Sequence, residues 1–160
     1  MKPWRDVAAR MLGRPTPARV VPTASVSQRR MPAPLRRSSD RMLEYSPELD
    51  GRADPGEVVW TWVPFEEDPR QGKDRPVVVV GRRGRTMLGL MLSSNDRRDG
   101  ERTWLALGAG SWDRDSRPSW VRLDRVLTVD ERGIRREGSI LDRSKFDRIA
   151  TRLRSDYGWR

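Results

Sequence analysis

The sequence predicts a mainly β domain that ends in one α-helix, and three observations support this prediction. Short β-rich segments separated by turn signals recur at regular spacing from about residue 57 to residue 140, which is typical of a small barrel. An apolar stripe with helical spacing follows them. The first forty residues differ in composition from the rest, which separates a tail from the domain.

The first predicted strand is EVVWTWV, which starts at Glu57. Val58, Trp60 and Trp62 recur with period two, so they lie on one face of the strand. Pro64 ends it, since proline has no backbone donor. The polar segment FEEDPRQGKD is predicted to be a loop.

The next two strands form a predicted hairpin. RPVVVVG is apolar on both faces, as strands buried on both sides are, and leads into the glycine-bracketed turn GRRGR. TMLGLMLSS returns as the third strand. TWLALG and SWVRLDRVLTV are the fourth and fifth strands. They follow the turn NDRRDGER and the loop AGSWDRDSRP, respectively. A short strand is expected near Ser139 and Ile140.

The last predicted element is a helix over DRSKFDRIATRLR. Its apolar residues fall at i, i+3, i+4 and i+7 and form one stripe, which consists of Phe146, Ile149, Ala150 and Leu153. Asp142 or Ser144 can cap its start.

Residues 1–45 are predicted to be a disordered Arg/Pro-rich tail, and the barrel domain is expected to span residues 55–157. Residues 1–41 carry ten cations and two anions, a net charge of +8. Such a segment holds too few apolar residues to offset the entropy lost on ordering. A short helix over residues 4–12 is the one element that the tail allows.

Composition excludes several classes of function. The chain has no cysteine and no histidine, so it has no disulfide, no thiolate nucleophile and no histidine base or metal ligand. No apolar run reaches the roughly 18 residues of a membrane-spanning helix. The N-terminus lacks the apolar segment of a secretory signal, and we interpret its Arg-rich start as tail rather than transit peptide. We therefore expect a cytoplasmic protein without membrane contact.

The net charge of +10 comes almost entirely from arginine, since the chain has 30 Arg and 3 Lys. A guanidinium binds phosphate through two parallel hydrogen bonds and stacks on bases. The charge therefore favours nucleic acid or another polyanion as partner. A GC-rich genome is a competing explanation for about half of the arginine excess.

Arg75 is the first candidate for chemistry. It lies where a charged loop enters the buried valine strand, so its guanidinium is held on a rigid element. If the two hairpin strands pair through GRRGR, Ser93 and Ser94 lie at the same end as Arg75. An arginine beside a hydroxyl can stabilise a phosphorane without metal. The competing interpretation is that Arg75 pairs with Asp68 or Asp74 and orders the loop.

Other candidates are weaker. The arginines of GRRGR could bind a nucleic-acid backbone, but they lie at the opposite end of the hairpin. Trp112 is expected to be exposed in its loop, where it could stack on single-stranded bases. Without histidine, the default general bases are carboxylates of the charged loop, namely Glu66, Glu67, Asp68 and Asp74.

Three motifs resemble one known family. PGEVVW followed by QGKDRPVVVV is similar to the start of PemK/MazF-type toxins of type II toxin–antitoxin systems. SWVRLDRVLTVD resembles a later strand of that family, and GSILDRSKFDRIATRL resembles its closing strand and helix. The resemblance covers roughly residues 55–155. It implies an SH3-like, PemK/CcdB-like barrel that forms a homodimer.

The resemblance also implies an activity and a site. Family members are metal-independent endoribonucleases without cofactor, which cleave single-stranded RNA through attack of the 2′-hydroxyl. The essential arginine falls on Arg75 and the essential hydroxyl on Ser93, with Ser94 beside it. Gln71 and Asp124 match other positions of the family pattern. Together with Arg70 and Lys73 of the charged loop and with Trp112, they are the expected RNA-binding positions. The expected partners are RNA, a cognate antitoxin and, with the antitoxin, operator DNA.

The sequence departs from the family pattern at three positions. Arg70 stands where many members have Glu, Ser93 replaces the usual Thr, and Arg125 stands where Gln is frequent. These departures leave an alternative open, in which the chain is a non-catalytic barrel that binds nucleic acid or protein.

Overall fold

The computed structural model describes residues 40–160, apart from the side chains of residues 136 and 137. The elements in chain order are the strands β1 (Met42–Leu43), β2 (Glu57–Pro64), β3 (Gly72–Arg83), β4 (Thr86–Ser93), β5 (Trp104–Gly108), β6 (Ser119–Arg122), β7 (Leu127–Val129) and β8 (Ile134–Ile140), and the helix α1 (Arg143–Tyr157). The predicted class, mainly β with a C-terminal helix, is confirmed. The helix predicted over residues 4–12 lies outside the described residues.

The strands form one antiparallel sheet in the order β5-β6-β4-β3-β2-β8. β1 pairs with β3, and β7 pairs with β4, outside this path. The predicted hairpin is β3–β4, and its register is set by the pair Val77 and Met91. Its turn contains Gly84 at a φ of 57°, a conformation that glycine adopts without steric strain.

β3 begins earlier than predicted. The loop after β2 ends at Gln71, because Lys73 and Asp74 already pair with Val63 and Trp62 of β2. Arg75 is therefore an interior residue of β3 and pairs with Thr61. Its backbone is held more firmly than a position at a loop mouth would be.

The four valines of β3 serve two cores. Val78 and Val80 belong to the larger core, which the apolar stripe of α1 completes. Val77 and Val79 point to the opposite face and join a second core with Met91 and Trp104, among others. All four are fully buried, and each such burial stabilises the fold by roughly 1.5–3 kcal/mol. The expectation of a strand apolar on both faces is confirmed.

The segment SWVRLDRVLTV, predicted as one fifth strand, forms the two strands β6 and β7. β4 pairs with β7 through its first half and with β6 through its end, so the chain between them must leave the sheet. Leu123 is fully buried at this break. Arg125 turns back, and its guanidinium donates to the Pro64 carbonyl at 2.7 Å. Alternation over SWVRLDRVLTV does not reveal this change of partner.

The last helix follows its prediction closely. Phe146, Ile149, Ala150 and Leu153 are its buried residues. Asp142 occupies the N-cap position, but its side chain makes no capping hydrogen bond. The helix ends at Tyr157 and is capped by Gly158, whose φ is 70°. Among the described residues, no helix is long and apolar enough to span a membrane.

Residues that we assigned to the tail contact the domain. Leu43 of β1 pairs with Gly81 of β3, and its amide donates to the Arg160 carbonyl at 2.6 Å. The Tyr45 hydroxyl donates to the Leu141 carbonyl at 2.8 Å. The compact domain thus begins before the predicted start at residue 55. The rest of the predicted tail, residues 1–39, lies outside the described residues.

Candidate active site

Arg75 and Ser93 line the same cavity, as the hairpin predicts. The last pair of the β3–β4 ladder is Val77 with Met91. Extending this register by two positions along the hairpin places Arg75 opposite Ser93. The cavity has a volume of about 390 Å³ and is called the Arg75 cavity below. Its walls come from β2, β3, the end of β4 and two loops, through Trp60, Lys73, Asp74, Arg75, Pro76, Leu92, Ser93, Ser94, Asn95, Arg98, Asp113, Arg117 and Ser119.

The Arg75 guanidinium has no carboxylate partner among the side chains that the structure describes. Burial lowers its pKa below the usual arginine value, and the nearby charges of Arg98 and Arg125 lower it further. The competing interpretation, a pair with Asp68 or Asp74, is not what the structure shows. Asp68 instead accepts from Arg70 at 3.0 Å and from Gln71 at 3.2 Å. Arg75 is thus a half-buried cation among cations, which favours an anionic ligand.

The end of β4 supplies hydroxyl groups. The Ser93 Oγ accepts from the Asn95 amide at 3.2 Å, which fixes the turn after the strand. Ser94 lies on the same cavity and is exposed. Asn95 in turn caps a short 3-10 helix, Asp96–Arg98, by accepting from the Arg97 amide at 3.1 Å. The turn therefore brings Ser93 and Arg98 to one wall.

The opposite wall is built by the loop before β6. Trp60 of β2 donates from its Nε1 to the Trp112 carbonyl at 2.9 Å. Asp113 is 8% exposed and accepts from Arg117 at 2.9 Å. These contacts hold the loop against β2 and give the cavity a fixed rim of aromatic and charged groups.

The prediction that Trp112 is exposed for base stacking is wrong. The residue is 4% exposed and belongs to the larger core, and its Nε1 donates to the Ser119 Oγ at 3.0 Å. A loop residue is buried here because the loop folds over the sheet, where a large aromatic side chain fills its underside. The most exposed tryptophan of the described domain is Trp62, at 43%.

The remaining predicted RNA-binding residues divide into two groups. Lys73 lines the Arg75 cavity. Arg70 and Gln71 are exposed and held by Asp68 in the preceding loop, outside the cavity. Asp124 also lies outside it, and its carboxylate accepts from Arg122 at 2.8 Å.

Three charged cavity residues were not predicted from the sequence, namely Arg98, Asp113 and Arg117. They lie in turns and loops, where neither periodicity nor register reports position. The one available signal was that NDRRDGER follows Ser94 directly, so it had to start beside the hairpin end. Among the described residues, no group of three or more carboxylates could hold a metal ion.

Comparison with known proteins assigns the family. The model of the "PemK-like, MazF-like toxin of type II toxin-antitoxin system" matches residues 54–155. The chain belongs to this family. The toxin fold covers nearly all of the described domain, and the resemblance read from three sequence motifs is confirmed.

One solved structure similar to this PemK-like toxin is described as the crystal structure of MazE-MazF (Form-II) from Deinococcus radiodurans. The two chains are 19% identical with a TM-score of 0.48, and the match covers 72% of this chain and 98% of that one. No curated protein sequence matches the chain.

Proposed function

We propose that this toxin is a metal-independent endoribonuclease that cleaves single-stranded RNA in the Arg75 cavity. The observation that carries the proposal is Arg75 itself. It is a half-buried guanidinium without a carboxylate partner among the described side chains, on the same cavity as the Ser93 hydroxyl. A phosphodiester is the anion that matches its charge and planar fork.

The proposed reaction needs no cofactor. The RNA 2′-oxygen attacks the adjacent phosphorus and loses its proton, and the bond from phosphorus to the 5′-oxygen breaks. The products are a cyclic 2′,3′-phosphate and a 5′-hydroxyl, which receives one proton. Arg75 stabilises the charge that builds on the phosphorane oxygens, and Ser93 donates a hydrogen bond to the same group. Removing one such donor typically lowers the rate by roughly 10²–10³.

A carboxylate is available for the 2′-hydroxyl proton. Two line the cavity, and Asp113 is already engaged by Arg117. Asp74 is exposed and has no ion pair among the described side chains, so we assign it as the general base. Arg70, Gln71 and Asp124 would contact RNA beyond the cavity, because they are exposed on neighbouring loops.

The positive charge of the Arg75 cavity also bears on the expected partners. As a member of a toxin–antitoxin family, the protein is expected to bind a cognate antitoxin, and an acidic antitoxin segment would occupy the cationic cavity. A homodimer, and operator DNA bound together with the antitoxin, are further parts of the proposal. Its place of action would be the cytoplasm, where mRNA is available.

The test is cleavage of a long single-stranded RNA in EDTA by the wild-type protein, by Arg75→Ala and by Arg85→Ala. Arg85 is an exposed arginine in the turn at the opposite end of the same hairpin, so it is a matched control for lost charge. We expect discrete fragments with 5′-hydroxyl ends, which polynucleotide kinase labels without prior phosphatase treatment. Arg75→Ala should abolish them and Arg85→Ala should not.

A second function is favoured by one observation. Arg70 occupies a position where many family members have Glu, and it is exposed and paired with Asp68. A barrel without catalysis would still bind RNA through the cavity cations. RNA binding, measured beside the cleavage assay, without any fragments would establish this alternative and refute the nuclease.

A further inference from the structure

We propose that Arg98 is a second phosphate-binding residue of the Arg75 cavity and contacts the RNA backbone beside the phosphate held by Arg75. The proposal rests on the RNA-binding part of the proposed function and not on its catalytic part. Arg98 is not among the positions that the family resemblance brought forward.

The backbone places Arg98 at the cavity firmly. It is the last residue of the 3-10 helix, and its amide donates to the Asn95 carbonyl at 3.1 Å. The amide of Asn95, which caps this helix, donates to the Ser93 Oγ at 3.2 Å, so the helix start is tied to the Ser93 hydroxyl. Arg98 therefore lies on the same cavity as a phosphate bound at Ser93 would.

The side chain is oriented but not neutralised. Its guanidinium lies over the ring of Trp104 at 4.7 Å, and Trp104 is buried. Stacking on an aromatic face fixes the plane of an arginine and leaves its edges free to donate. One edge reaches Glu101, where the nitrogen–oxygen distance is a long 3.4 Å and both side chains are about 40% exposed. Such an exposed ion pair contributes little to stability.

One donor of Arg98 has no partner. The Nε is buried, and no acceptor among the described residues lies within hydrogen-bonding distance. A buried donor without an acceptor is rare and costly, so this guanidinium is not fully satisfied within the described domain. Ligand contact falls to its terminal nitrogens, since the side chain as a whole is 39% exposed and lines the cavity. A phosphate oxygen is an acceptor of the right charge.

Arg98 and Arg75 also repel each other. After burial, Arg98 is the first of the two cations that lower the Arg75 pKa. The other, Arg125, is satisfied by the Pro64 carbonyl at 2.7 Å and lies 3.5 Å from Glu66. An anion between Arg75 and Arg98 would remove the repulsion, and two charges at fixed spacing suit adjacent groups of one polyanion.

The experiment measures binding of a single-stranded RNA whose 2′-hydroxyls are methylated, so that cleavage cannot occur. Affinity is determined at several salt concentrations for wild type, Arg98→Ala and Arg97→Ala. Arg97 is exposed, belongs to the same 3-10 helix and does not line the cavity. We expect Arg98→Ala to bind about tenfold more weakly, as the loss of one charge-assisted contact predicts. Its slope of log affinity against log salt should fall by about 0.7, the value for one phosphate on single strands.

Arg97→Ala should leave the slope unchanged. Equal slopes for wild type and Arg98→Ala would overturn the proposal, as would the same loss in both variants. The methylated RNA cannot be cleaved, so this experiment tests Arg98 whether or not the protein is a nuclease. A protein that binds it but never cleaves unmodified RNA would refute the proposed nuclease and leave the Arg98 proposal fully tested.

A second variant covers the case in which Arg98→Ala loosens Trp104 and unfolds the turn. Glu101→Gln removes the carboxylate that competes for Arg98 and changes no cavity residue. We expect tighter binding, by about twofold to threefold, since exposed pairs are weak. Unchanged or weaker binding in a folded Glu101→Gln protein would contradict the proposal.

Discussion

Two cavities of this domain each contain a charged side chain without an ion pair among the described residues, Arg75 in one and Glu57 in the other. The two side chains differ in how far a ligand can reach them. The Arg75 cavity keeps its cation half-buried, beside an opening that a ligand can enter. The second cavity, of about 280 Å³, is lined by Leu49, Asp50, Gly51, Arg52, Glu57, Val59, Ile134 and Gly138. Glu57 is only 1% exposed, and its Oε1 has no hydrogen-bond partner among the described residues.

The difference lies in how each charge is compensated. Burial raises the pKa of Glu57, and the nearby Asp54 carboxylate raises it further, although the Asp54 amide donates to its Oε2 at 3.2 Å. A proton is therefore the natural partner of Glu57. Arg75 cannot lose its proton at any physiological pH, so its natural partner is an external anion. An unpaired charge thus indicates a binding site only where a ligand can reach it.

The largest effect is expected at Arg75. Arg75→Lys keeps the charge but replaces the planar fork with a single ammonium, so two parallel hydrogen bonds to the phosphorane cannot form. We expect RNA cleavage to fall by roughly 10²-fold, with binding of 2′-methylated RNA within about threefold of wild type. Single-turnover cleavage and equilibrium binding check both parts. A lysine variant that cleaves like wild type would show that only the charge matters.

A smaller effect is expected at Ser93. Ser93→Ala removes the hydroxyl that we propose donates to the phosphate. Because Ser94 offers a second hydroxyl on the same cavity, we expect cleavage to fall by about tenfold to a hundredfold, less than the roughly 10²–10³ typical of a lost donor. Ser93→Thr restores the hydroxyl of the usual family residue and should retain cleavage. Ser94→Ala is the matched control, because Ser94 is the neighbouring hydroxyl on the same cavity. If Ser94→Ala has the larger effect, the two serines exchange roles.

The smallest effect is expected at Glu57, and it concerns stability alone. A carboxyl with a raised pKa binds more protons in the folded state, so its contribution to stability falls as pH rises from the ordinary Glu value through the folded pKa. Asp54 shifts in the same direction. We expect Glu57→Gln to raise the free energy of unfolding at pH 8 by about 1 kcal/mol and to gain little at pH 4.

Thermal unfolding of wild type and Glu57→Gln between pH 4 and pH 8 checks this expectation. RNA cleavage should not change, since Glu57 does not line the Arg75 cavity. A stability difference that shrinks as pH rises would contradict the assignment of Glu57 as a sealed, proton-compensated group.

The sequence predicted most of the fold because its signals are local. Alternation in EVVWTWV, the valine run and the helical stripe each depend on neighbouring residues, and all three became the elements expected. The placement of Arg75 and Ser93 on one cavity was also accessible, since a hairpin turn fixes which strand ends meet.

What could not be predicted depends on contacts distant in sequence. Trp112 is buried because its loop folds onto the sheet, and no local pattern reports that. The break at Leu123 arises because β4 has two partners along one edge. Arg98 reaches the cavity through a capped turn, whereas an arginine in a charged turn is ordinarily solvated.

One glycine makes the position of Arg75 sensitive to changes outside the cavity. A Cβ on Gly72 would collide with the Val63 carbonyl oxygen and would lie 2.7 Å from the ring of Trp62. The Trp62 ring is exposed and can shift, but the backbone carbonyl cannot yield easily, so even alanine would push apart the strands three positions before Arg75. In genetic terms, a mutation that inactivates the proposed nuclease need not alter a reactive group. We expect a single added methyl group at this position to displace Arg75, which enlarges the set of inactivating mutations beyond the cavity.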